Sequence, residues 1–212
     1  MKIILNLEKN LIDTSPGLLK AIRIAIYMMD YKPDDEETVN KFLYKPVVEK
    51  AMEIFGIKRV EAETFNKWYM DYYGRKGKYE NDFFPGAYNF LNKLIKNYKV
   101  SIITSLYEAH AIQILKKKGI FEYFEFVKGR SIDNSINTKS DIISNLLETM
   151  DNMDKDEKIV IISSDKEDIE IANKLICPSI YIGDAEKISA ISSNRAKNYD
   201  DVLEILNKLN GK

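Results

Sequence analysis

Apolar and polar residues follow two different rhythms along the chain. The run Ile3, Ile4, Leu5 and Leu7 is dense enough for a buried strand. After a polar break at Glu8, Lys9 and Asn10, the Ser15-Pro16-Gly17 segment predicts a helix start. Ser15 is placed as N-cap, and Pro16 in the first turn, where its missing N–H costs nothing. Leu18, Leu19, Ile22, Ile26 and Met29 then recur at helical spacing and give that helix one apolar face.

From there to about Tyr79 the pattern offers helices and no strand. Val39, Phe42 and Leu43 form one apolar face. Val47, Val48, Ala51, Met52 and Phe55 form another, which Gly56 stops. Phe65, Trp68, Tyr69, Tyr72 and Tyr73 make an aromatic stripe, expected to be the core of a small helical bundle rather than a ligand platform. Gly74 and Gly77 suit a return linker.

Beyond residue 80 strands and helices alternate. Pro85 and Gly86 lead into a helix, followed by the strand VSIITS, a helix through Ile112 and Leu115 to Gly119, and a short strand over 124–127. A helix over 140–150 points Ile142, Ile143, Leu146 and Leu147 inward. The strand KIVIISS, a helix over 169–175, the strand SIYIG and a last helix over 202–209 complete the chain. Repeated βα units predict an α/β fold: a Rossmann-like, doubly wound parallel sheet. Residues 1–14 and 80–212 form this core, and residues 15–79 form an all-helical cap inserted after the first strand. In such sheets ligands gather at the carboxyl ends of the strands. That rule selects LEKN after strand one, TSLY after VSIIT, the loop around Lys139, and SSDKED after KIVII.

Charge narrows the options. Thirty-two basic and thirty-three acidic residues leave a net charge of -1, with the lysines scattered among glutamates, so no nucleic-acid partner is expected. The opening MKIILNL is too short an apolar run for a leader or a span, which points to no membrane association and a cytoplasmic location. The single Cys177 excludes an internal disulfide and is expected to be a small buried side chain. The single His110 excludes a two-histidine metal pair. No Gly-x-Gly-x-x-Gly follows the first strand, so a dinucleotide cofactor has no support.

Taken in order, NLEKNL, SIITS, NTKSDII and SSDKED, with flanking NLIDTSPGLLKAI, YENDFFPG and IEIANKL, resemble the haloacid dehalogenase-like superfamily. The closer resemblance is to its phosphoglycolate phosphatase-like branch with a helical cap. Members typically begin with Asp-x-Asp-Gly-Thr-Leu: the first Asp attacks phosphorus, the second is general acid and base, and Mg²⁺ bridges nucleophile and phosphate. Here Asn6 stands at the nucleophile position, Glu8 at the acid/base position, and Lys9 and Asn10 replace Gly-Thr. The resemblance assigns Thr104 and Lys139 to the second and third motifs. In the fourth, Ser164 replaces the first metal-binding Asp and Asp168 keeps the second. Any Mg²⁺ would fall to Asp168, Asp165 and the Glu8 backbone carbonyl. In the cap, LYKPVVEKA and WYMDYY place Tyr44 where the branch has a glycine, Lys45 beside it, and Met70 where it has an arginine.

An Asn amide is neutral and far less nucleophilic than a carboxylate. Mg²⁺ favours charged oxygen ligands, two of which are gone. The resemblance therefore implies a phosphatase-like protein with a degenerate site and weak or absent Mg²⁺ binding, holding phosphate or a small phosphorylated molecule, or acting through a protein partner. The alternative is a Mg²⁺-dependent phosphomonoester hydrolase working with altered residues, Glu8 as acid and base.

Overall fold

The computed structural model describes residues 1–133, 135–151, 157–183 and 194–211. It divides into two compact units, Met1–Ile12 with Phe83–Lys212, and Asp13–Asp82.

The first unit is built on a parallel sheet. Strand β1 (Lys2–Asn6) is buried along its whole length, as expected for a strand covered on both faces. The two-residue strands β2 (Ile12–Asp13) and β3 (Asp82–Phe83) mark where the chain leaves this unit and returns. Helix α5 (Ala87–Ile95), strand β4 (Lys99–Tyr107), helix α6 (Glu108–Lys117) and strand β5 (Phe124–Arg130) follow. Then come α7 (Lys139–Asp151), β6 (Ile159–Ser163), α8 (Lys166–Lys174), β7 (Ser179–Ile182), β8 (Arg195–Ala196) and α9 (Tyr199–Leu209). Among the described residues the sheet order is β5-β4-β1-β6-β7-β8, with every neighbouring pair parallel.

The chain thus builds outward from β1 to β4 and β5, then returns to place β6 on the other side of β1. That reversal opens a crevice at the carboxyl end of β1. Helix α7 closes one face by packing Ile142, Ile143, Leu146 and Met150 against Ile4 of β1, Ile103 of β4 and Ile161 of β6. Four inward side chains at helical spacing anchor the residue that opens this helix, Lys139.

The second unit is helical: α1 (Ser15–Met28), α2 (Glu36–Asn40), α3 (Val47–Phe55) and α4 (Arg59–Arg75), then a 3₁₀ turn over Gly77–Tyr79. Its core is aromatic. Phe65 stacks on Phe42 with centroids 5.5 Å apart and meets Phe55 at 5.8 Å, and Tyr69 stacks on Tyr73 at 5.6 Å. Offset rings at these separations gain packing energy beyond burial alone. Of the aromatic stripe, Phe65, Tyr69 and Tyr73 are buried, whereas Trp68 is exposed and Tyr72 donates its hydroxyl to Glu80.

Three details depart from the expectations. Thr14, not Ser15, precedes the first helix, and the Ser15 hydroxyl donates to Asp13 Oδ1. A side chain engaged with the preceding turn cannot cap the helix. Gly74 is helical, because α4 runs to Arg75 before the chain turns. Strand β4 continues past Thr104 to Tyr107, so Thr104 lies within the strand and not at its end.

Candidate active site

The crevice gathers side chains from the sheet's carboxyl edge and two helix starts. Asn6 is the last residue of β1, Thr104 sits in β4, Lys139 opens α7, and Asp168 lies in the first turn of α8 after the β6 loop. Asn6, Thr104, Ser105, Lys139 and Asp168 line a cavity of about 10 Å³, roughly enough for one water.

Asp168 organises the centre. Its carboxylate is 1% exposed, and a buried carboxylate requires compensating donors. Asn6 Nδ2 donates to Oδ2, and the Ser163 hydroxyl donates to the same oxygen at 2.6 Å. Lys139 Nζ lies 3.0 Å from Oδ1. The side-chain oxygen Oδ1 of Asn6 is buried and, among the described residues, has no donor.

A second carboxylate sits beside the first. Lys139 Nζ is 2.8 Å from Asp165 Oδ2, and Lys9 Nζ is 3.2 Å from that same oxygen. Asp165 Oδ1 accepts from the Glu167 amide and caps α8. Burial alone would raise the Asp165 carboxyl, but the Lys139 hydrogen bond and charge and the Lys9 charge outweigh it and hold it down at about 2. Burial likewise opposes the Lys139 ammonium, yet the charge of Asp168 and the hydrogen bond with Asp165 leave its pKa raised. Lys139 is therefore a permanent cation between two carboxylates.

Glu8 behaves differently. It is 4% exposed, and its Oε1 accepts from the Ser105 amide at 3.1 Å. Burial raises its pKa more than the Thr104 hydrogen bond lowers it. A carboxyl held towards its neutral form can donate a proton, the property a general acid needs.

Lys9 and Asn10 occupy the turn after β1 that the resembled motif fills with Gly-Thr. Lys9 keeps the left-handed backbone that glycine permits, with φ 64°, at a cost of about 1–2 kcal/mol for a residue with Cβ. Asn10 Oδ1 accepts from the Ser164 amide at 2.9 Å and lies 3.2 Å from its hydroxyl. Ser164 is thus tied to the β1 loop.

The cap residues singled out in the sequence belong to the helical unit. Tyr44 follows α2 with φ 58°, again a left-handed conformation suited to glycine, and is half-buried. Lys45 is exposed beside it, and Met70 is half-buried on α4.

The donor set is a poor match for Mg²⁺. Each oxygen of Asp168 and Asp165 already faces an N–H, an O–H or an ammonium. No group of three His, Cys, Asp or Glu placed to hold a metal occurs among the described residues. A divalent cation needs open, charged oxygens, and the residues present do not fit it.

Sequence reasoning missed Ser163, and it missed the pairing of Lys9, a residue it had placed in the loop after β1. Ser163 donates to Asp168, and Lys9 supplies a second cation to Asp165. The signal for Lys9 was its place at a glycine position, where a residue with Cβ is strained. Ser163 had no signal beyond standing next to Ser164. Of the singletons, His110 meets the Tyr107 ring edge-on at 5.8 Å, and Cys177 is partly rather than fully buried.

A parallel α/β core, a helical insert and this constellation define a phosphatase-like class of protein. The model of the haloacid dehalogenase-like hydrolase family matches residues 3–182, and the chain belongs to that family. Its fold is similar to a predicted phosphatase from Clostridium acetobutylicum, with TM-score 0.82 and 24% identity over 98% of both chains. It is also similar to a haloacid dehalogenase-like family hydrolase from Streptococcus pneumoniae, with TM-score 0.83 and 22% identity over 97% of both. Tyrosine-protein kinase PtkA of Mycobacterium tuberculosis is 24% identical over 182 residues, 85% of this chain; the chain spans 61% of that kinase's length. No described helix is long and apolar enough to cross a membrane.

Proposed function

We propose that this chain is a haloacid dehalogenase-family phosphatase relative whose site binds a phosphate-bearing ligand and hydrolyses it poorly or not at all. The observation that carries the reading is the Asn6 amide bonded to Asp168. At the position where the family's reaction needs an ionised nucleophile, a neutral amide is engaged with a carboxylate that the family gives to its metal. An amide attacking phosphorus would have to form an unfavourable imidate. Thr104, Lys139 and the amides around the crevice remain as anion donors. In this reading the helical insert selects the ligand, with Tyr44, Lys45 and Met70 as its candidate contacts, and a protein partner remains open to it.

The test is a panel of phosphomonoesters assayed with Mg²⁺ and with Mn²⁺, beside the Asn6→Asp/Ser164→Asp double variant. The parent is expected to stay at background, with turnover emerging only in the double variant. Clear parental turnover that Asp168→Ala abolishes would overturn the reading.

One observation favours a second reading. Glu8 is buried and biased towards its neutral form, as a general acid requires, so in an altered hydrolase water would attack phosphorus while Glu8 protonates the leaving oxygen as its bond to phosphorus breaks. That enzyme would lose activity on Glu8→Gln, while an inert parent would eliminate it.

A further inference from the structure

Lys9 and Lys139 aim their ammonium groups at one atom, Asp165 Oδ2, from 3.2 and 2.8 Å. The three residues come from three separate segments: the loop after β1, the start of α7, and the loop between β6 and α8. The other Asp165 oxygen accepts from the Glu167 amide at 3.1 Å. Its carboxylate therefore rests among two cations and a helix-start N–H, a donor set suited to an oxyanion.

The backbone adds to this. Lys9 holds a left-handed conformation that a residue with Cβ adopts only against steric resistance. Its ammonium reaches Asp165 Oδ2 from a position where the resembled motif has no side chain. Asp165 is only 23% exposed and lies beside Lys139, which also lines the central cavity.

We propose that Lys9, Lys139 and the start of α8 form a metal-independent oxyanion subsite, and that the Asp165 carboxylate is its built-in, displaceable occupant. The ligand class is a phosphate dianion or the phosphoryl group of a small ester. The proposal rests on the phosphate-binding reading above and adds two assignments to it: Lys9 as a ligand-holding group, and Asp165 as an intramolecular competitor. Lys139 also faces Asp168 at 3.0 Å, so the ligand meets Lys9 and one shared cation; a dianion, carrying more charge than one carboxylate, can displace the Asp165 side chain, whereas a weakly charged ligand cannot. The cations that hold the ligand are then supplied by the chain itself.

The test is calorimetric titration with inorganic phosphate in EDTA. Asp165→Asn removes the charge but keeps an equally good helix cap, and Asp165→Ser provides a second variant with the same capping ability. Circular dichroism melting without phosphate checks that each is folded. Asp165→Asn is expected to bind phosphate at least about tenfold more tightly than the parent, as expected when a charge-assisted competitor is removed. Adding Lys9→Met should erase that gain. Three results would overturn the proposal. If the parent binds phosphate and Asp165→Asn binds no more tightly, the competitor idea falls while the phosphate reading stands. A gain that survives Lys9→Met removes Lys9 from the subsite. If no variant binds phosphate at tens of millimolar, both readings fall together.

Discussion

The side-chain amide of Asn6 donates to the Asp168 carboxylate across 162 positions of chain, with both residues almost wholly buried. A neutral amide can touch a carboxylate directly. A second carboxylate in its place would need a cation between them, so residue 6 and the site's need for metal are physically linked.

Asn6→Asp therefore sets two carboxylates against each other in a buried crevice. One of them should titrate with a strongly raised pKa. A group whose folded pKa is raised contributes its stability below the unfolded pKa and loses it as pH rises through the folded value. The variant is expected to lose roughly 2–4 kcal/mol at pH 8 and much less at pH 5. Mg²⁺ should raise the melting temperature of this variant, and of Asn6→Asp/Ser164→Asp, through preferential binding to the folded state. The parent is expected to melt at the same temperature in Mg²⁺ and in EDTA. A clear Mg²⁺ shift in the parent would show that its carboxylates are more available than their hydrogen bonds imply.

Lys139 is the shared partner of Asp165 and Asp168. Lys139→Met keeps the aliphatic length and leaves both carboxylates without their common cation, which should cost about 3–5 kcal/mol. Adding Asp168→Asn ought to recover part of that loss. Denaturant unfolding of the parent, both single variants and the double variant closes the cycle. Strict additivity would mean that the close approach contributes nothing.

The sequence carried the fold because the βα rhythm is regular: continuous apolar strands such as Ile3–Leu5 and helices with one apolar face such as Ile142 to Met150 are set by local periodicity. The carboxyl-edge rule, which depends only on strand order, selected the loops that bear Thr104, Lys139 and Asp168, and the family resemblance added Asn6; the four line one crevice. It did not carry the hydrogen bonds. That Asn6 turns its amide to Asp168, that Ser163 joins it, and that Lys9 shares Asp165 with Lys139 depend on rotamers chosen among residues far apart in the chain. Boundaries shifted for a similar reason. Ser15 reads as a cap until the Asp13 carboxylate claims its hydroxyl, and Thr104 reads as a strand end until pairing with β5 prolongs β4.

Two glycines of the helical unit separate close packing from backbone strain. A Cβ on Gly17 would lie 1.9 Å from the Gly77 carbonyl oxygen, with backbone on both sides of the contact. Gly17→Ala must push α1 away from the 3₁₀ turn and is expected to cost about 3 kcal/mol or more, at or above the overpacking range. Gly56 caps α3 with φ 63°, and a Cβ added there would meet nothing within 4 Å. Gly56→Ala meets only the left-handed penalty, about 1–2 kcal/mol. The urea midpoint should fall further for Gly17→Ala than for Gly56→Ala. The reverse order would mean that the Gly17 approach relaxes readily.

Cys177 offers a pH-dependent readout away from the crevice. It packs against the cluster of Ile4, Ile161, Ile171 and Ala172, and burial pushes its thiol up from 9.0 to about 11. The neutral thiol is the form that the folded state favours. Its contribution to stability is therefore fully present below the unfolded value and is lost as pH rises from about 9 towards 11. At pH 8 the thiolate fraction of the folded protein should be about a hundredfold lower than that of the unfolded chain, since each unit is a factor of ten. A thiol-reactive disulfide reagent is expected to label the native protein far more slowly than the protein in urea. Thiolate absorbance should rise with a midpoint near 11. Native labelling as fast as in urea would mean that the segment before β7 opens readily, and that the burial of Cys177 is not maintained in solution.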